Sequence, residues 1–125
     1  MHLVPPERRH RRILDEERVC EAIGAVRGAG DLAMWAERFA VVGDPSRLTL
    51  LLCIASAGPI SVTDLATAAD MNDTTVSQAL RLLRAAGTVV ARRDGRVVRY
   101  QLADPQIGQL LALVAPPRRR RRPSA

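Results

Sequence analysis

Residues 58–102 read GPISVTDLATAADMNDTTVSQALRLLRAAGTVVARRDGRVVRYQL, and the period of their apolar residues changes along the way. Val62, Leu65, Ala66 and Ala69 fall at i, i+3, i+4 and i+7, the spacing that lines one face of a short helix. Thr63 and Asp64 sit near its start, where a carboxylate complements the positive helix end. Asp70-Met71-Asn72-Asp73 interrupts the pattern, which restarts at Val76, Leu80 and Leu83. Asn72 or Asp73 is placed to cap this second helix by accepting a hydrogen bond from its first free amides. From Thr88 to Arg92 the chain turns β-branched, Asp94-Gly95 is a strong short-turn signal, and Val97–Leu102 alternates apolar with polar residues. Two short helices joined by about three or four residues and followed by a hairpin predict a mainly α fold with a small β-hairpin wing, a winged helix-turn-helix.

With Val76, Leu80 and Leu83 committed to a core, the second helix exposes Thr74, Thr75, Ser77, Gln78 and Arg81. Hydroxyls, an amide and a guanidinium near a helix N-terminus are the groups that bond phosphates and base edges in a major groove. A polar outer face is ordinary for a surface helix, so the hairpin decides the reading. Arg92, Arg93, Arg96 and Arg99 surround its turn against the single charge of Asp94. Such a tip also serves solubility and edge protection, but beside that helix it matches a phosphate backbone. Thr74, Thr75, Ser77, Gln78 and Arg81 are therefore expected in the groove, with Gln78 reading bases, and Arg92, Arg93 and Arg96 on phosphates. Aromatic residues make up 2% of the chain, namely Trp35, Phe39 and Tyr100, too few for base stacking on single strands. The expected partner is double-stranded DNA.

These residues carry a resemblance. Gly43-Asp44-Pro45-Ser46-Arg47-Leu48, Val62-Thr63-Asp64-Leu65-Ala66, Thr75-Val76-Ser77-Gln78-Ala79-Leu80 with Leu83-Arg84, and Gly95-Arg96 leading to Tyr100-Gln101-Leu102 are similar to motifs of the ArsR/SmtB winged-helix repressors of bacteria. The likeness spans about residues 31–114, with Ala79 where that family usually has histidine. Gly58-Pro59 and Val62–Ala66 also resemble the nickel- and cobalt-responsive actinobacterial branch. The resemblance implies a homodimer that binds an inverted-repeat operator and leaves it when an inducer, often a metal ion, binds. It also implies where a metal would sit. At the reader's first helix Ser61 stands at a cysteine position; at the C-terminal helix Asp104 matches, Gln106 replaces histidine, and later positions fall at Pro117 and Arg120.

The rest of the chain frames the reader. Met1–Arg12 is rich in Pro and Arg and reads as a disordered arm; residues 13–115 read as the winged-helix domain with flanking dimerisation helices; residues 116–125 read as a disordered Arg-rich tail. A helix is expected over Ile13–Val26 with Ile13, Val19, Cys20, Ile23 and Val26 inward, broken by Gly28-Ala29-Gly30. Leu32–Val42 follows with a stripe of Leu32, Trp35, Ala36, Phe39 and Ala40, then Ser46–Ala57, and finally Pro105–Val114 with Ile107, Leu110, Leu111 and Val114 on one side. Apolar helices at both ends of the reader suit pairing across a two-fold axis, with recognition helices about one DNA turn apart. At 125 residues, 47% of them hydrophobic, there is one core's worth of chain. Of the net charge of +6, five units lie in Arg118–Arg122, leaving about +1 elsewhere; that run adds nonspecific DNA affinity or serves solubility alone. All 19 basic residues are arginine.

Metal donors are sparse. His2, His10 and Cys20, with Asp15 or Glu16, offer nitrogen, sulfur and oxygen to nickel or zinc, and Asp104 is the one match at the C-terminal helix, but their spacing fits no compact motif. Cys20 on an apolar helix face and Cys53 between Leu52 and Ile54 also read as core, and two cysteines make no disulfide framework. Two readings of the inducer follow: direct sensing of a metal, or a DNA-binding half whose sensing lies in a separate protein partner or a non-metal ligand. A third class, a winged helix that serves as a protein-interaction module for an acidic partner, stays open. With only His2 and His10 in the arm, no HExxH, no Gly-x-Ser-x-Gly and no phosphate-cradling glycine loop, no enzyme is expected. The longest apolar run, around Leu48–Ala57, is too short to span a bilayer and no signal-type h-region follows the basic N-terminus, which predicts a cytoplasmic protein.

Overall fold

Helix ends in this chain are set by side-chain caps, and those caps fix the element order. The structure, a computed structural model, describes residues 3–115. It divides into two units, Met1–Ala36 and Glu37–Ala125.

In the first unit a 3-10 turn at Pro6–Arg8 precedes α1, Glu16–Gly28. Asp15 caps α1 by accepting from the Arg18 amide and pairs with the exposed Arg18 side chain at 3.1 Å. The helix starts three residues later than the apolar spacing predicts, because the Asp15 cap overrides Ile13, and it runs through Gly28. Of its predicted inward residues only Cys20 is buried, while Val26 is 60% exposed. The arm also differs from expectation. Residues 3–12 include the turn, Val4 is buried, and the Arg9 guanidinium donates to the Val4 carbonyl at 3.3 Å. The boundary between the units falls within α2, Leu32–Val42, whose predicted stripe holds no buried residue: Trp35 is half-buried, while Leu32, Ala36, Phe39 and Ala40 are exposed.

The second unit holds the reader. Asp44 caps α3, Pro45–Ala57, with Pro45 at its first position, where a missing N–H costs nothing. Arg47 reaches back from α3 and donates to the Val41 and Ala40 carbonyls at 2.9 and 3.2 Å, satisfying groups that the end of α2 leaves unpaired. After β1, Ile60–Ser61, the Ser61 hydroxyl caps α4, Val62–Ala69. Asp70 then adopts φ 54°, and the Met71 amide donates to the Ala66 carbonyl at 2.9 Å, closing α4 with a left-handed turn. Asn72, rather than Asp73, caps α5, Asp73–Ala85, by accepting from the Thr75 amide at 2.8 Å. Gly87, at φ 75°, ends α5 in the same manner, with the Thr88 amide donating to the Leu83 carbonyl.

The wing is β2, Val89–Asp94, and β3, Val97–Leu102, paired antiparallel from Val89↔Leu102 to Asp94↔Val97. Its two-residue turn is Gly95-Arg96, one residue beyond the Asp94-Gly95 signal. Of these two only Gly95 has positive φ, at 64°, as a type II′ turn requires. A third strand was not anticipated: β1 pairs with the other edge of β3, giving the order β1-β3-β2. Two residues carry no alternation, so β1 left no periodic signal. α6, Pro105–Val114, closes the unit, capped by Asp104.

The core joins Leu50, Leu51 and Ile54 of α3, Leu65 and Ala66 of α4, Val76, Leu80 and Leu83 of α5, Val89 of β2, and Ile107 and Leu111 of α6. It is aliphatic throughout, with Tyr100 and Cys53 packed at its margin. Val114, expected inward, is 59% exposed, and Leu113 81%. Among the described residues no single helix is long and apolar enough to cross a membrane.

Two backbone positions test this account in opposite directions. A Cβ at Gly58 would lie 2.6 Å from the Ile54 carbonyl oxygen and 3.2 Å from that of Tyr100, so the end of α3 and β3 would have to separate. Gly58→Ala should destabilise by about 2–3 kcal/mol in urea unfolding. Asp70→Gly removes left-handed strain and should stabilise by about 0.5–1 kcal/mol in the same assay.

Candidate nucleic-acid interface

Burial of Val76, Leu80 and Leu83 fixes the rotation of α5 about its own axis. Thr74, Thr75, Ser77, Gln78 and Arg81 are all exposed, as the sequence predicts. Helical spacing separates them: Thr74, Gln78 and Arg81 stand farthest from the core, Thr75 lies to one side with the exposed Leu82, and Ser77 lies to the other. Asn72 uses its side-chain oxygen on the Thr75 amide, so that cap leaves the Thr75 hydroxyl unengaged.

The wing arginines divide between two faces of the sheet. Successive strand residues point to opposite sides, so Arg92 and Arg99, which the register places directly opposite each other, share one face. Arg93 shares the other face with Ala91, Val98 and Tyr100. Arg96 sits in the turn. All of these arginines are exposed. The ion pairs found among the described residues are Arg18–Asp15 and Arg38–Asp104, so no wing or α5 arginine is neutralised by a carboxylate. Sequence reasoning grouped Arg92 with Arg93 and left Arg84 and Arg99 out of the site. Strand alternation separates the first two. The spacing Ser77, Arg81, Arg84 at i, i+4, i+7 was the signal for Arg84.

The structure does not gather the metal candidates. His10 is exposed and Cys20 buried, both in the first unit, while His2 lies outside the described residues, as does the tail of residues 116–125. Asp104 belongs to the second unit and is already engaged. Its carboxylate accepts from the Gln106 and Ile107 amides at 3.0 and 3.5 Å and pairs with Arg38 at 3.4 Å. Arg38 also donates to the Gln106 side chain, so one guanidinium bridges Asp104 and Gln106 at the start of this helix. Among the described residues no three of His, Cys, Asp and Glu come together as a metal-binding group.

A three-residue turn between α4 and α5, a polar face on α5 and an arginine-bearing hairpin define the winged helix-turn-helix class. Comparison with known proteins narrows it. Residues 44–90 match the family described as bacterial regulatory protein, arsR family. The HTH-type transcriptional regulator NmtR of Mycobacterium tuberculosis is 43% identical over 79 residues, covering 63% of this chain and 65% of that protein, less than two thirds of its length. The homodimeric winged helix-turn-helix DNA-binding domain of a possible ArsR-family regulator from Mycobacterium bovis superposes with a TM-score of 0.60 at 35% identity, covering 70% of this chain and 84% of that one. The cadmium metal-sensor CMTR from Mycobacterium tuberculosis superposes with a TM-score of 0.56 at 32% identity, covering 64% and 82%. The chain belongs to the ArsR family, and the likeness to mycobacterial regulators agrees with the actinobacterial motifs at Gly58-Pro59 and Val62–Ala66.

Removing the Asp104 carboxylate should cost both its cap and its ion pair. Asp104→Ala is expected to lower stability by about 1–2 kcal/mol. Asp104→Asn, which keeps a capping oxygen, should lose clearly less. Thermal unfolding of the two variants reads the difference, since both lose the ion pair and only Asp104→Ala loses the cap.

Proposed function

We propose that the chain is a sequence-specific, double-stranded DNA-binding transcriptional regulator, a repressor of metal-homeostasis or stress genes that binds an inverted-repeat operator as a homodimer in the cytoplasm. The observation that carries this reading is the set of unneutralised polar and arginine side chains on α5 and the wing, held by a capped and core-anchored helix. Thr74, Thr75, Ser77, Gln78 and Arg81 enter the major groove; Arg92, Arg93 and Arg96 contact phosphates. Exposed Phe39 on α2 and Leu113 and Val114 on α6 supply apolar surface for pairing, and the Mycobacterium bovis domain described as homodimeric supports a two-fold assembly.

Likeness to a protein described as a cadmium metal-sensor supports a metal inducer for this chain, with nickel or zinc suited to nitrogen and sulfur donors such as His2, His10 and Cys20. The engagement of Asp104 by Arg38 favours a second reading, in which a separate protein partner or a non-metal ligand supplies the signal. Calorimetric titration of the full chain with Ni²⁺ and Zn²⁺ separates them. Submicromolar binding establishes direct sensing, and its lack assigns sensing elsewhere.

A gel shift with duplex containing the chain's own upstream region tests DNA recognition. Equal affinity for that duplex and random DNA across a salt series would instead favour a protein-interaction module. Gln78→Ala should reduce discrimination between operator and random DNA by about 1–3 kcal/mol. Arg96→Ala should weaken both alike and lower the salt slope by about one.

A further inference from the structure

A cleft of about 540 Å³ opens between α5 and β3, lined by Ser77, Leu80, Arg81, Arg84, Ala85 and Tyr100. Its chemistry is uneven. Leu80 is buried in the core and gives the cleft an apolar base, whereas Ser77, Arg81 and Arg84 are exposed along one side of α5 and half-buried Tyr100 faces them from the sheet. Arg81 and Arg84 are three residues apart on the helix, where like charges repel, and neither meets a carboxylate within ion-pair distance among the described residues. An anion between them removes that repulsion. Two guanidinium forks with the Ser77 and Tyr100 hydroxyls provide converging donors of the kind that phosphate oxygens accept.

The cleft also lies in the path of a strand. On its helix side it borders Gln78 and Thr74 through the shared Arg81. On its wing side Tyr100 shares a sheet face with Arg93, one pleat farther toward the turn, because Ala91 pairs with Tyr100 and Arg93 with Val98. A backbone running between helix and wing therefore meets Arg84 and Tyr100 before it reaches Arg93.

We infer that this cleft seats one backbone phosphodiester of a bound duplex, and that Arg84 is a DNA contact in its own right. The inference rests on the DNA-binding reading and adds to it a phosphate position between helix and wing. Free orthophosphate shares the ligand chemistry, but the cleft continues into the exposed face of α5 and is several times larger than a lone phosphate group, which favours the diester.

Because a phosphate contact is independent of base sequence, the test needs only a random-sequence duplex. Affinity of the full chain is measured across a salt series for wild type, Arg84→Gln, Arg84→Lys and Arg27→Gln, the last an exposed α1 arginine that controls for net charge. Arg84→Gln should bind several-fold more weakly at low salt with a slope reduced by about one. Arg84→Lys should keep the slope, and Arg27→Gln should match wild type. An unchanged slope for Arg84→Gln in a protein that still binds duplex overturns the cleft assignment while leaving the DNA reading intact. Wild type that binds no duplex at any salt removes both. Orthophosphate added at constant ionic strength provides the last arm: displacement of duplex from wild type but not from Arg84→Gln is the competition that a shared seat requires, whereas orthophosphate that binds wild type through Arg84 in calorimetry without displacing duplex would make the cleft a free-anion site and overturn the diester.

Discussion

One helix serves two masters in this fold, and the side that belongs to the core determines what the other side can do. Val76, Leu80 and Leu83 are each at most 1% exposed. At about 1.5–3 kcal/mol per buried aliphatic side chain, together they contribute about 5–9 kcal/mol, as much as a small domain's entire net stability. Turning α5 by even one residue would forfeit most of that. The direction of Gln78 and Arg81 is thereby settled by leucines that never meet a ligand. Capping reinforces this from both ends, with Asn72 at the start of α5 and Gly87 at its close.

Most of this frame was legible from sequence, for reasons that differ by element. α4 and α6 have the predicted limits because each combines a helical apolar period with a capping side chain, Ser61 or Asp104, next to it. The wing was readable as a hairpin, but a turn dipeptide gives no register, and the loop moved from Asp94-Gly95 to Gly95-Arg96. That single residue sets Arg92 opposite Arg99 instead of Val97 and leaves Arg96 in the turn. β1 escaped because two residues cannot alternate, and the structured part of residues 3–12 escaped because composition says little about local hydrogen bonds such as Arg9 to Val4. The DNA-facing candidates on α5 followed from subtraction of the core residues. Arg84 did not: its spacing from Ser77 and Arg81 puts it on their side of α5, but its position across from Tyr100 is set by the fold.

The C-terminal helix shows how one residue type serves several chemistries. Asp104 has the oxygen that a metal would require, yet a carboxylate just before Pro105 is also the natural cap for the helix that follows. Here it holds two amides and a guanidinium at once. Arg38 and Asp104 are largely shielded, with side chains 27% and 14% exposed. The Arg38 guanidinium therefore ties the C-terminal half of α2 to the start of α6.

The opposed pair Arg92 and Arg99 makes the wing an electrostatically tense hairpin. Like charges directly across an antiparallel ladder weaken it, and within a Debye length in dilute buffer little relieves them. Dissolved salt consequently acts on this ribbon in two opposing senses. Counterions ease the repulsion and tighten the free wing, while the same ions compete for any polyanion it would grip. On the proposed DNA-binding reading, the conditions that best order the free wing are those in which it would hold nucleic acid least firmly, and a bound phosphate would supply at low salt the screening that the solvent lacks.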